Sequence, residues 1–461
     1  MRVVKFGGSN LKKRDDISKL VKVIHEYEKP LIVVISALYG VTNTIISTVE
    51  QAHKNFDSIE LLKDQLYKAH RDMLSDYLSD EMEKQTAFEE LERRIDEMKR
   101  FLLGIHYIGE APDFVRDTVL SYGERLSAFT LSIILKKLGI DAQEATPEAM
   151  GLITDGEFGN ATVNFEKSSK QVADYFSEEK VYIVPGFYGI SEAGKVNLFG
   201  RGGSDYSAAA IAGCVHAQSL DLWKDVEGFL SADPRVVEDA WSIKKMSYLE
   251  AAELSYFGAK IIHPRAFEPL MEKDIPLNLF NIDGKLDEIK PVTVITSNSI
   301  RTKYVVKSVS HTDNFGILKL KGPGVGVKPG ILADATNALK REGINIKSVL
   351  TSQTIISILL SSDDLYRAYT LMKHLRIMGV EDINLVDDVS LIAIVGDGIN
   401  ETPGIAAKLF NALSRENINV NMVSIGISEV ASYFIVTASE RDRAVKSIHK
   451  EFFNENSKRN K

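Results

Sequence analysis

The fold of this chain is decided by the stretch Val196-Asn-Leu-Phe-Gly-Arg-Gly-Gly-Ser-Asp-Tyr-Ser-Ala-Ala-Ala210. Apolar residues lead into a glycine-rich turn, and small, helix-compatible residues follow it, which predicts a strand, a turn and a helix. The start of a helix carries free backbone N–H groups and a partial positive charge, and glycines let an anion approach them closely. Arg201 adds a planar fork that suits a carboxylate or a phosphate, and Asp205 is a candidate to hold a metal ion or orient a cation. The stretch therefore predicts anion binding, with a purely structural turn as the alternative.

A second glycine turn stands near the start of the sequence. The segment Arg2-Val-Val-Lys-Phe6 predicts a short strand, and it ends at Gly7-Gly8-Ser9. Neither turn fits the phosphate-loop pattern G-x-x-x-x-G-K-[ST] or the dinucleotide pattern G-x-G-x-x-G. Two turns of this kind in one chain favour an anion site over two unrelated structural turns.

Strand-length apolar runs alternate with helical patterns over roughly the first 300 residues. The run Leu31–Ile35 is apolar throughout, as in a parallel strand buried on both faces, and residues 181–184 are similar. The segment Leu220-Asp-Leu-Trp223 predicts a further strand. Residues 50–104 carry apolar side chains at steps of three and four, which predicts two packed amphipathic helices, with a protein–protein surface as the alternative. The alternating pattern resumes at Tyr122–Leu126, before a helix to Leu138. This order predicts an α/β fold with crossover connections.

The last third of the chain contains an internal repeat. The segment that begins at Pro329 aligns with the one that begins at Pro403, and the offset of 74 residues is constant over 18 positions. Each copy predicts a strand, a Pro-Gly turn, an amphipathic helix, two strands and a second helix, which we interpret as a βαββαβ unit whose last strand is not marked by these segments. Two copies predict a pair of small domains and not a solenoid.

Composition excludes several classes of protein. The 461 residues carry a formal net charge of −8, which does not suggest a general binder of nucleic acid or anionic membranes. The single cysteine, Cys214, cannot form an intrachain disulfide. The sequence shows no apolar run of membrane-spanning length and no leader pattern, so we expect a cytoplasmic protein without membrane or nucleic-acid partners.

Six motifs occur in the order seen in aspartate kinases, which the chain resembles over nearly its whole length. They are Lys5-Phe-Gly-Gly-Ser9, Ser36 with Gly40-Val-Thr-Asn43, Gly123-Glu124, Gly200-Arg-Gly-Gly-Ser-Asp205, Asp225 with Asp233-Pro-Arg235, and Phe257-Gly-Ala-Lys260. The double repeat resembles the paired ACT domains of that family, which sense amino acids.

The resemblance implies the fold and its division into domains. We expect an αβα sandwich around a mainly parallel sheet, the amino acid kinase fold, plus two ferredoxin-like βαββαβ ACT domains. The predicted boundaries are 1–300 for the catalytic domain, which includes the helical section 50–104, then 301–388 and 389–461 for the first and second ACT domains. The strand near 303–310 is a candidate to be shared with the second ACT domain.

The resemblance also implies a reaction, the transfer of the γ-phosphoryl group of ATP to the side-chain carboxylate of L-aspartate with Mg²⁺. A carboxylate is already ionised at neutral pH, so the reaction needs no general base. The difficulty is electrostatic, because one anion must approach another. We therefore expect positioning and charge neutralisation to supply the catalysis.

The site residues are carried over motif by motif. The lysine that neutralises the transferring phosphoryl group resembles Lys5, and Asp205 would orient it or support the metal site. Arg201 resembles the fork for the α-carboxylate of aspartate, and Glu124 would bind its α-ammonium group. The remaining substrate pocket would comprise Thr42, Phe187, Gly202, Gly203 and Ser204, and the nucleotide would contact Lys5, Gly7, Gly8, Ser9, Ser36, Lys224, Asp225, Arg235 and Lys260. No residue is assigned to a resident metal ion.

The chain departs from the family pattern at three positions. Asn10 stands where many members have serine, Lys224 where a threonine often precedes the aspartate, and Leu230 where a tyrosine often contacts the nucleotide. The last two put adenine-side details in doubt.

In the family, an effector amino acid binds where the first ACT domains of two subunits meet. The corresponding residues here are Lys328, Gly330, Ile331, Leu332, Ile346 and Ser352. Many lysine-sensitive relatives have aspartate where Lys347 stands, so a lysine effector would meet an unfavourable charge unless Lys347 points away. We expect lysine as the effector, with threonine as the alternative, and a homodimer or homotetramer formed through the ACT domains; repeats that only build the dimer are the other possibility.

Other functions remain open from the residues alone. One is an amino-acid-kinase-fold enzyme that acts on glutamate, acetylglutamate or a nucleoside monophosphate, against which the paired repeats argue. Another is a catalytically inactive ACT-domain amino-acid sensor, which loss of Lys5, Arg201 or Asp205 would have favoured. Because no domain follows the second repeat in this sequence, we expect the monofunctional form without a homoserine dehydrogenase.

Overall fold

The structure is a computed structural model that describes residues 1–259, 261–284, 289–298 and 304–453. The chain divides into two compact units. The first contains Met1–Phe229, Ser242–Ser255 and the described part of 260–299, and the second contains Leu230–Trp241, Tyr256–Ala259 and the described part of 300–461.

The first unit alternates strands and helices as the sequence predicts. Its strands are β1 (Arg2–Phe6), β2 (Leu31–Ile35), β3 (Ala142–Glu144), β4 (Val181–Pro185), β5 (Tyr188–Ile190), β6 (Val196–Leu198), β7 (Leu220–Lys224), β8 (Lys245–Ser247), β9 (Leu277–Asn281) and β10 (Thr293–Thr296). Its helices are α1 (Arg14–His25), α2 (Val41–Gln51), α3 (Asp57–Ser75), α4 (Glu81–Ile108), α5 (Asp113–Lys137), α6 (Pro147–Met150), α7 (Phe165–Tyr175), α8 (Gly203–Cys214), α9 (Tyr248–Tyr256) and α10 (Glu268–Lys273).

Eight strands form the main sheet in the order β3-β4-β2-β1-β7-β9-β10-β8. All neighbouring pairs are parallel except β9 and β10. The central strands β2 and β4 are buried at every position, as the continuous apolar runs predicted. Parallel strands bring their carboxyl ends to the same edge of a sheet, so the residues after β1, β2 and β7 meet there.

The section 50–104 contains two packed helices, as predicted. Helix α4 begins where the Asp80 side chain accepts a hydrogen bond from the Glu83 N–H at 2.9 Å, and it ends at Gly109, whose φ is 87°. Its apolar stripe is buried against neighbouring helices, with Leu91, Ile95, Met98 and Leu102 fully inside. The stripe therefore belongs to the core of this unit.

The segment Tyr122–Leu126 lies in the middle of one 25-residue helix, α5, and does not begin a new strand–helix pair. This helix is buried on nearly all sides, so its sequence lacks the one-sided periodicity that would mark it as a helix. Gly123 is required within it because a Cβ there would lie 2.9 Å from the Cβ of Ala37. The close approach brings α5 against the end of β2, where the site is built.

The stretch 196–210 folds as a strand, a turn and a helix, but its strand lies outside the main sheet. Strand β6 pairs antiparallel with β5 in a separate two-stranded sheet. The hairpin leads into the glycine turn, and α8 starts directly after it.

The second unit contains eight strands and four helices among the described residues. Its strands are β11 (Ser308–Thr312), β12 (Gly316–Lys321), β13 (Ile346–Thr351), β14 (Ile355–Leu360), β15 (Asp382–Val386), β16 (Val389–Val395), β17 (Met422–Ser424) and β18 (Ala431–Thr437). Its helices are α11 (Ile331–Arg341), α12 (Ser362–Leu375), α13 (Ile405–Arg415) and α14 (Arg441–Phe453).

The two repeats form two four-stranded antiparallel sheets. The first has the order β13-β14-β12-β15 and the complete βαββαβ connectivity. The second sheet has the order β11-β16-β18-β17. Strand β11 occupies the edge that corresponds to the position of β15 in the first sheet. In the chain, β11 precedes the first repeat. Only three of the four strands in the second sheet therefore come from the second repeat.

Within the described ranges, no helix combines the length and the apolar composition that crossing a lipid bilayer requires.

Candidate active site

A cavity of about 890 Å³ opens at the edge of the main sheet where β1 and β2 end. Backbone and side chains from both glycine turns line it, as does the middle of α5. The predicted site residues among its lining are Lys5, Gly8, Ser9, Ser36, Thr42, Glu124, Phe187, Arg201, Gly202, Gly203, Ser204 and Asp205. Residues that are distant in the sequence are thus collected in one place.

Three charged groups form the lysine–aspartate centre, which we define as Lys5, Asp205 and Lys224. The Lys5 ammonium lies 2.5 Å from Oδ1 of Asp205, and that of Lys224 lies 2.8 Å from Oδ2. The side chains are 6%, 8% and 17% exposed in that order of residue number, so water screens these pairs weakly. Asp205 lies in the first turn of α8, where the helix dipole also favours a negative charge.

Burial and charge act in opposite directions on these groups. Burial lowers the pKa of Lys5, although Asp205 opposes the shift. Burial tends to raise the pKa of Asp205, but Lys224 and Lys5 outweigh it and hold the pKa below its usual range. Asp205 is therefore a carboxylate at neutral pH.

Glu124 is buried on α5 and faces the same cavity. The Ser204 hydroxyl donates to its Oε1 at 3.3 Å, while Oε2 has no hydrogen-bond partner among the described residues. Burial raises the pKa of Glu124 to about 7, against smaller opposing effects from the Ala37 backbone and the Ser204 hydroxyl. A buried carboxylate oxygen without a donor marks a place for a cation or a hydrogen-bond donor of a ligand.

The second glycine turn, before α8, requires glycine both for its backbone conformation and because neighbouring side chains leave no room for a Cβ. Gly202 caps α8 with φ 72°, and a Cβ there would lie 2.4 Å from the Cβ of His263. A Cβ at Gly203 would lie 2.7 Å from the ring of Phe187, which itself has a φ of 78°. The Phe187 N–H donates to the Ser207 hydroxyl at 2.8 Å, which stabilises this conformation. The ring thus packs directly beneath the start of α8.

Two residues that sequence reasoning missed hold the cavity wall in place. The Asp117 Oδ2 accepts hydrogen bonds from the backbone N–H groups of Gly159 and Leu198, at 2.8 and 2.9 Å. The Arg265 guanidinium donates to the carbonyl oxygens of Phe199 and Ala161. Both link the loop near residue 159 to the chain leading into Arg201. A charged residue at a buried position of a helix was the only sequence signal, and it did not say what Asp117 contacts.

The residues assigned to the nucleotide are spread more widely. The Ser9 hydroxyl donates to Asp225 at 2.9 Å, which links the first glycine turn to the end of β7. Gly7 is adjacent to Lys5, since a Cβ at Gly7 would lie 3.8 Å from the Lys5 Nζ. Arg235 belongs to the second unit and pairs with Asp233. Lys260 lies outside the described residues. The nucleotide contacts expected of Lys260 and of Arg235 remain predictions.

A resident metal ion does not fit the donor set of the described residues. No group of three or more histidine, cysteine, aspartate or glutamate side chains among them is arranged to hold one. Both oxygens of Asp205 are already paired with ammonium groups.

The predicted effector residues lie in the first repeat of the second unit. Gly330, with φ 96°, caps α11, which begins at Ile331. Ile346 opens β13, and Ser352 follows its last residue and closes a turn with Ile355. The Lys347 ammonium donates to the Asn314 carbonyl at 2.9 Å, so that side chain is tied to its own domain.

The fold and the cavity together define a class of protein. A parallel sheet with two glycine turns and a buried lysine–aspartate centre at its carboxyl edge is suited to bind and transfer an anionic group. A model described as the amino acid kinase family matches residues 1–281, and two models described as ACT domains match residues 310–373 and 392–452. The chain therefore belongs to the amino acid kinase family.

Curated relatives show which members of the amino acid kinase family this chain is similar to. Aspartokinase 3, chloroplastic, of Arabidopsis thaliana is 30% identical, with 98% of this chain and 81% of the relative covered. The bifunctional aspartokinase/homoserine dehydrogenase of Haemophilus influenzae is also 30% identical, with 98% of this chain and 57% of the relative covered. Within its family the chain groups with the aspartokinases, and its own sequence matches two ACT domain models. It spans 50% to 57% of the length of the five bifunctional relatives that match first.

Solved structures share the whole fold. The aspartate kinase of Clostridium acetobutylicum superposes with a TM-score of 0.74 at 25% identity, with 98% of this chain and 99% of that one covered. Aspartokinase III of E. coli, in complex with aspartate and ADP, superposes with a TM-score of 0.83 at 24% identity, with 98% and 100% covered.

Proposed function

We propose that the chain phosphorylates the side-chain carboxylate of L-aspartate with MgATP to give 4-phospho-L-aspartate and ADP. The observation that carries the proposal is the single cavity shared by the buried Lys5–Asp205 pair, the unpartnered carboxylate oxygen of Glu124 and the Arg201 fork. One side suits a transferring phosphoryl group, and the other suits an amino acid with a free α-ammonium and α-carboxylate group.

The reaction needs positioning more than it needs proton transfer. An oxygen of the substrate carboxylate attacks the γ-phosphorus of ATP, the bond to the β,γ-bridging oxygen breaks, and ADP leaves with that electron pair. The Lys5 ammonium neutralises charge on the transferring group, and Asp205 keeps Lys5 in place. Mg²⁺ enters as part of the MgATP substrate and neutralises phosphate charge.

The substrate would be oriented by residues of α5 and of the second glycine turn. Glu124 binds the α-ammonium group with its free oxygen, and Arg201 binds the α-carboxylate as a fork. The rest of the pocket would be shaped by Thr42, Phe187, Gly202, Gly203 and Ser204. On the nucleotide side, Gly7, Gly8, Ser9 and Ser36 hold phosphate oxygens, while Asp225, Arg235 and Lys260 serve the rest of the nucleotide.

An acyl-phosphate assay tests the proposal. Wild-type protein is incubated with MgATP, hydroxylamine and either aspartate, glutamate or N-acetylglutamate, and the hydroxamate and ADP are measured. We expect product with aspartate in an amount equal to the ADP formed. Product with another acid but not with aspartate would refute the substrate, and no product with any acid would favour a catalytically inactive sensor.

We also propose that the repeats regulate the enzyme through a bound amino acid, with lysine as the first candidate and threonine as the second. The residues concerned are Lys328, Gly330, Ile331, Leu332, Ile346 and Ser352. The hydrogen bond that ties Lys347 to Asn314 supports lysine, because it directs that ammonium group into its own domain. Titration calorimetry with each amino acid tests this, and no heat from either would refute feedback by these effectors.

We also propose the cellular setting and the assembly that the family resemblance implies. A cytoplasmic homodimer or homotetramer, formed through the ACT domains, would supply the first intermediate for lysine, threonine and methionine synthesis. Light scattering with and without the effector measures the oligomer.

A further inference from the structure

Lys224 contacts the same carboxylate as Lys5, from the opposite side. It is the last residue of β7, and Lys5 lies on the neighbouring strand β1, paired in register with Leu222. The Nζ of Lys224 donates to the Oδ2 of Asp205 at 2.8 Å, while Lys5 lies at Oδ1. Asp205 therefore has one ammonium group on each of its oxygens.

A second hydrogen bond fixes the direction of the Lys224 side chain. Its ammonium group also donates to the main-chain carbonyl of Ile261, and Lys224 does not line the cavity. The Asp205 carboxylate and the Ile261 carbonyl thus hold this ammonium group on the side of Asp205 away from Lys5. It can influence the reacting groups through Asp205 and Lys5 without lining the cavity, which is a different role from the nucleotide contact that the resemblance implied for Lys224.

We infer that Lys224 is a positioning residue for phosphoryl transfer, which holds Asp205 so that the Lys5 ammonium can turn to the transferring group. The inference rests on the proposed function. If Lys5 were the sole counter-ion of Asp205, its movement toward a phosphate would leave a buried carboxylate unpaired, which is costly. With Lys224 on the other oxygen, Asp205 keeps a partner while Lys5 moves.

The charge of Lys224 matters beyond this hydrogen bond. The centre contains two ammonium groups and one carboxylate, so one positive charge is left over beside the incoming phosphates. Because the three side chains are only 6% to 17% exposed, water screens this charge weakly and it acts over several ångströms. Removal of Lys224 would make the centre neutral overall and would tie Lys5 more tightly to Asp205.

The test compares Lys224→Met and Lys224→Arg with a control, Lys245→Met, which removes an exposed lysine at the start of β8. We expect Lys224→Met to lower kcat about 10- to 100-fold, the usual effect of removing a residue that orients a catalytic group, with KM for aspartate changed less than about twofold. Lys224→Arg keeps the charge and the donors, so it should recover most of kcat. Lys245→Met should match wild type.

A pH profile separates positioning from a merely structural role. After burial and Asp205, the charge of Lys224 is the next influence on the pKa of Lys5, and it lowers that pKa. Lys5 must be protonated to neutralise phosphate, so kcat falls at high pH as Lys5 loses its proton. In Lys224→Met the fall should move to higher pH, and in Lys245→Met it should stay in place.

Each outcome decides the question. Unchanged kcat and an unmoved pH profile in Lys224→Met would overturn the inference, and so would a loss confined to KM for ATP. If Lys224→Met does not fold, Lys224→Gln retains an amide donor without the charge, and the same shift is expected. Inactive wild-type protein would refute the proposed function itself, whereas an active wild type with an equally active Lys224→Met would refute only the role of Lys224.

Discussion

The two sides of the cavity differ in whether their charges are satisfied before a ligand binds. In the lysine–aspartate centre every charged group has an oppositely charged partner within 2.8 Å. The other side, which we call the substrate wall, is defined as Glu124, Arg201 and Ser204. There Glu124 keeps an oxygen without a hydrogen-bond partner in the described part of the chain. Arg201 forms no ion pair among the described residues and is exposed.

The difference suggests that the two sides of the cavity have different roles in catalysis and in substrate binding. Paired groups are held in place before the reaction, which suits residues that must stabilise charge in the transition state. Unpaired groups are held ready for charges that a substrate brings, and binding satisfies them. Changes in the lysine–aspartate centre should therefore affect kcat, and changes in the substrate wall should affect KM for aspartate.

Replacement of Lys5 should have the largest effect. We expect Lys5→Met to lower kcat by about 1,000-fold, because it removes the cation nearest the transferring group. Asp205 retains Lys224 as a counter-ion, so the variant should still fold. Steady-state hydroxamate assays measure kcat, and circular dichroism checks the fold. A reduction of less than tenfold in a folded variant would contradict this role.

Replacement of Arg201 should mainly weaken aspartate binding. We expect Arg201→Ala to raise KM for aspartate about 100-fold, the scale of losing a charged, bidentate partner, with KM for ATP nearly unchanged. Arg201→Lys keeps the charge without the fork and should lie between the two. Equal effects on both KM values would show that Arg201 does not distinguish the two substrates.

Glu124 should make aspartate binding depend on pH. Its pKa of about 7 means that half of the empty sites carry a protonated Glu124 at that pH, and KM for aspartate should rise as pH falls through 7. We expect Glu124→Gln to raise KM at pH 8 about tenfold and to abolish this dependence. A dependence that persists in Glu124→Gln would assign it to another group.

The same group should affect stability with a definite sign. Burial raises the folded-state pKa of Glu124 from 4.5 to about 7, so the folded state binds more protons than the unfolded state between these values. The stabilising contribution is complete below pH 4.5 and is lost as pH rises through 7. The free energy of unfolding of wild type, relative to Glu124→Gln, should fall by about 3 kcal/mol over that interval. Denaturant titrations at pH 5 and pH 8 measure the difference.

Asp117 should show the smallest effect on activity, because its Oδ2, at the lining of the cavity, is already bonded to two backbone N–H groups. We expect Asp117→Ala to lower the free energy of unfolding by about 2 kcal/mol, since two backbone N–H groups lose their acceptor. KM for aspartate should rise only several-fold. Asp117→Asn retains an acceptor oxygen and should lose less than half as much stability. A larger effect of Asp117→Ala on kcat than on KM would place Asp117 with the lysine–aspartate centre.

Most of the gathered site could be predicted because motifs stand next to recognisable elements. Lys5 and Ser36 lie at the ends of short apolar strands, and parallel strands bring such positions to one edge. The second glycine turn was visible as a motif, but it follows the antiparallel strand β6 outside the main sheet, so the structure alone placed it beside them. The repeat was equally visible, and α11 and α13 begin 74 residues apart as the alignment predicted. Local sequence patterns and sheet geometry are enough to predict the strand-end motifs and the repeat without any knowledge of packing.

Other features depend on contacts between distant segments. Helix α5 contains Tyr122–Leu126 because it is surrounded by core, which removes the periodicity that normally reveals a helix. Strand β11 completes the second repeat's sheet from a position before the first repeat. The family resemblance implied such a shared strand near 303–310, but no local pattern in the sequence specifies the pairing. The predicted boundaries at residues 300 and 388 remain predictions.

The sequence by itself determined the class of fold, the repeated pair of small domains and the residue types needed to bind two anions side by side. Only the tertiary structure decided which groups are paired and which are free. It placed Lys224 on Asp205, fixed the cavity wall through Asp117 and Arg265, and left one oxygen of Glu124 without a donor among the residues it describes. The reason is physical: backbone preferences and hydrophobic periodicity act over a few residues, whereas charge pairing and burial depend on which segments meet in space.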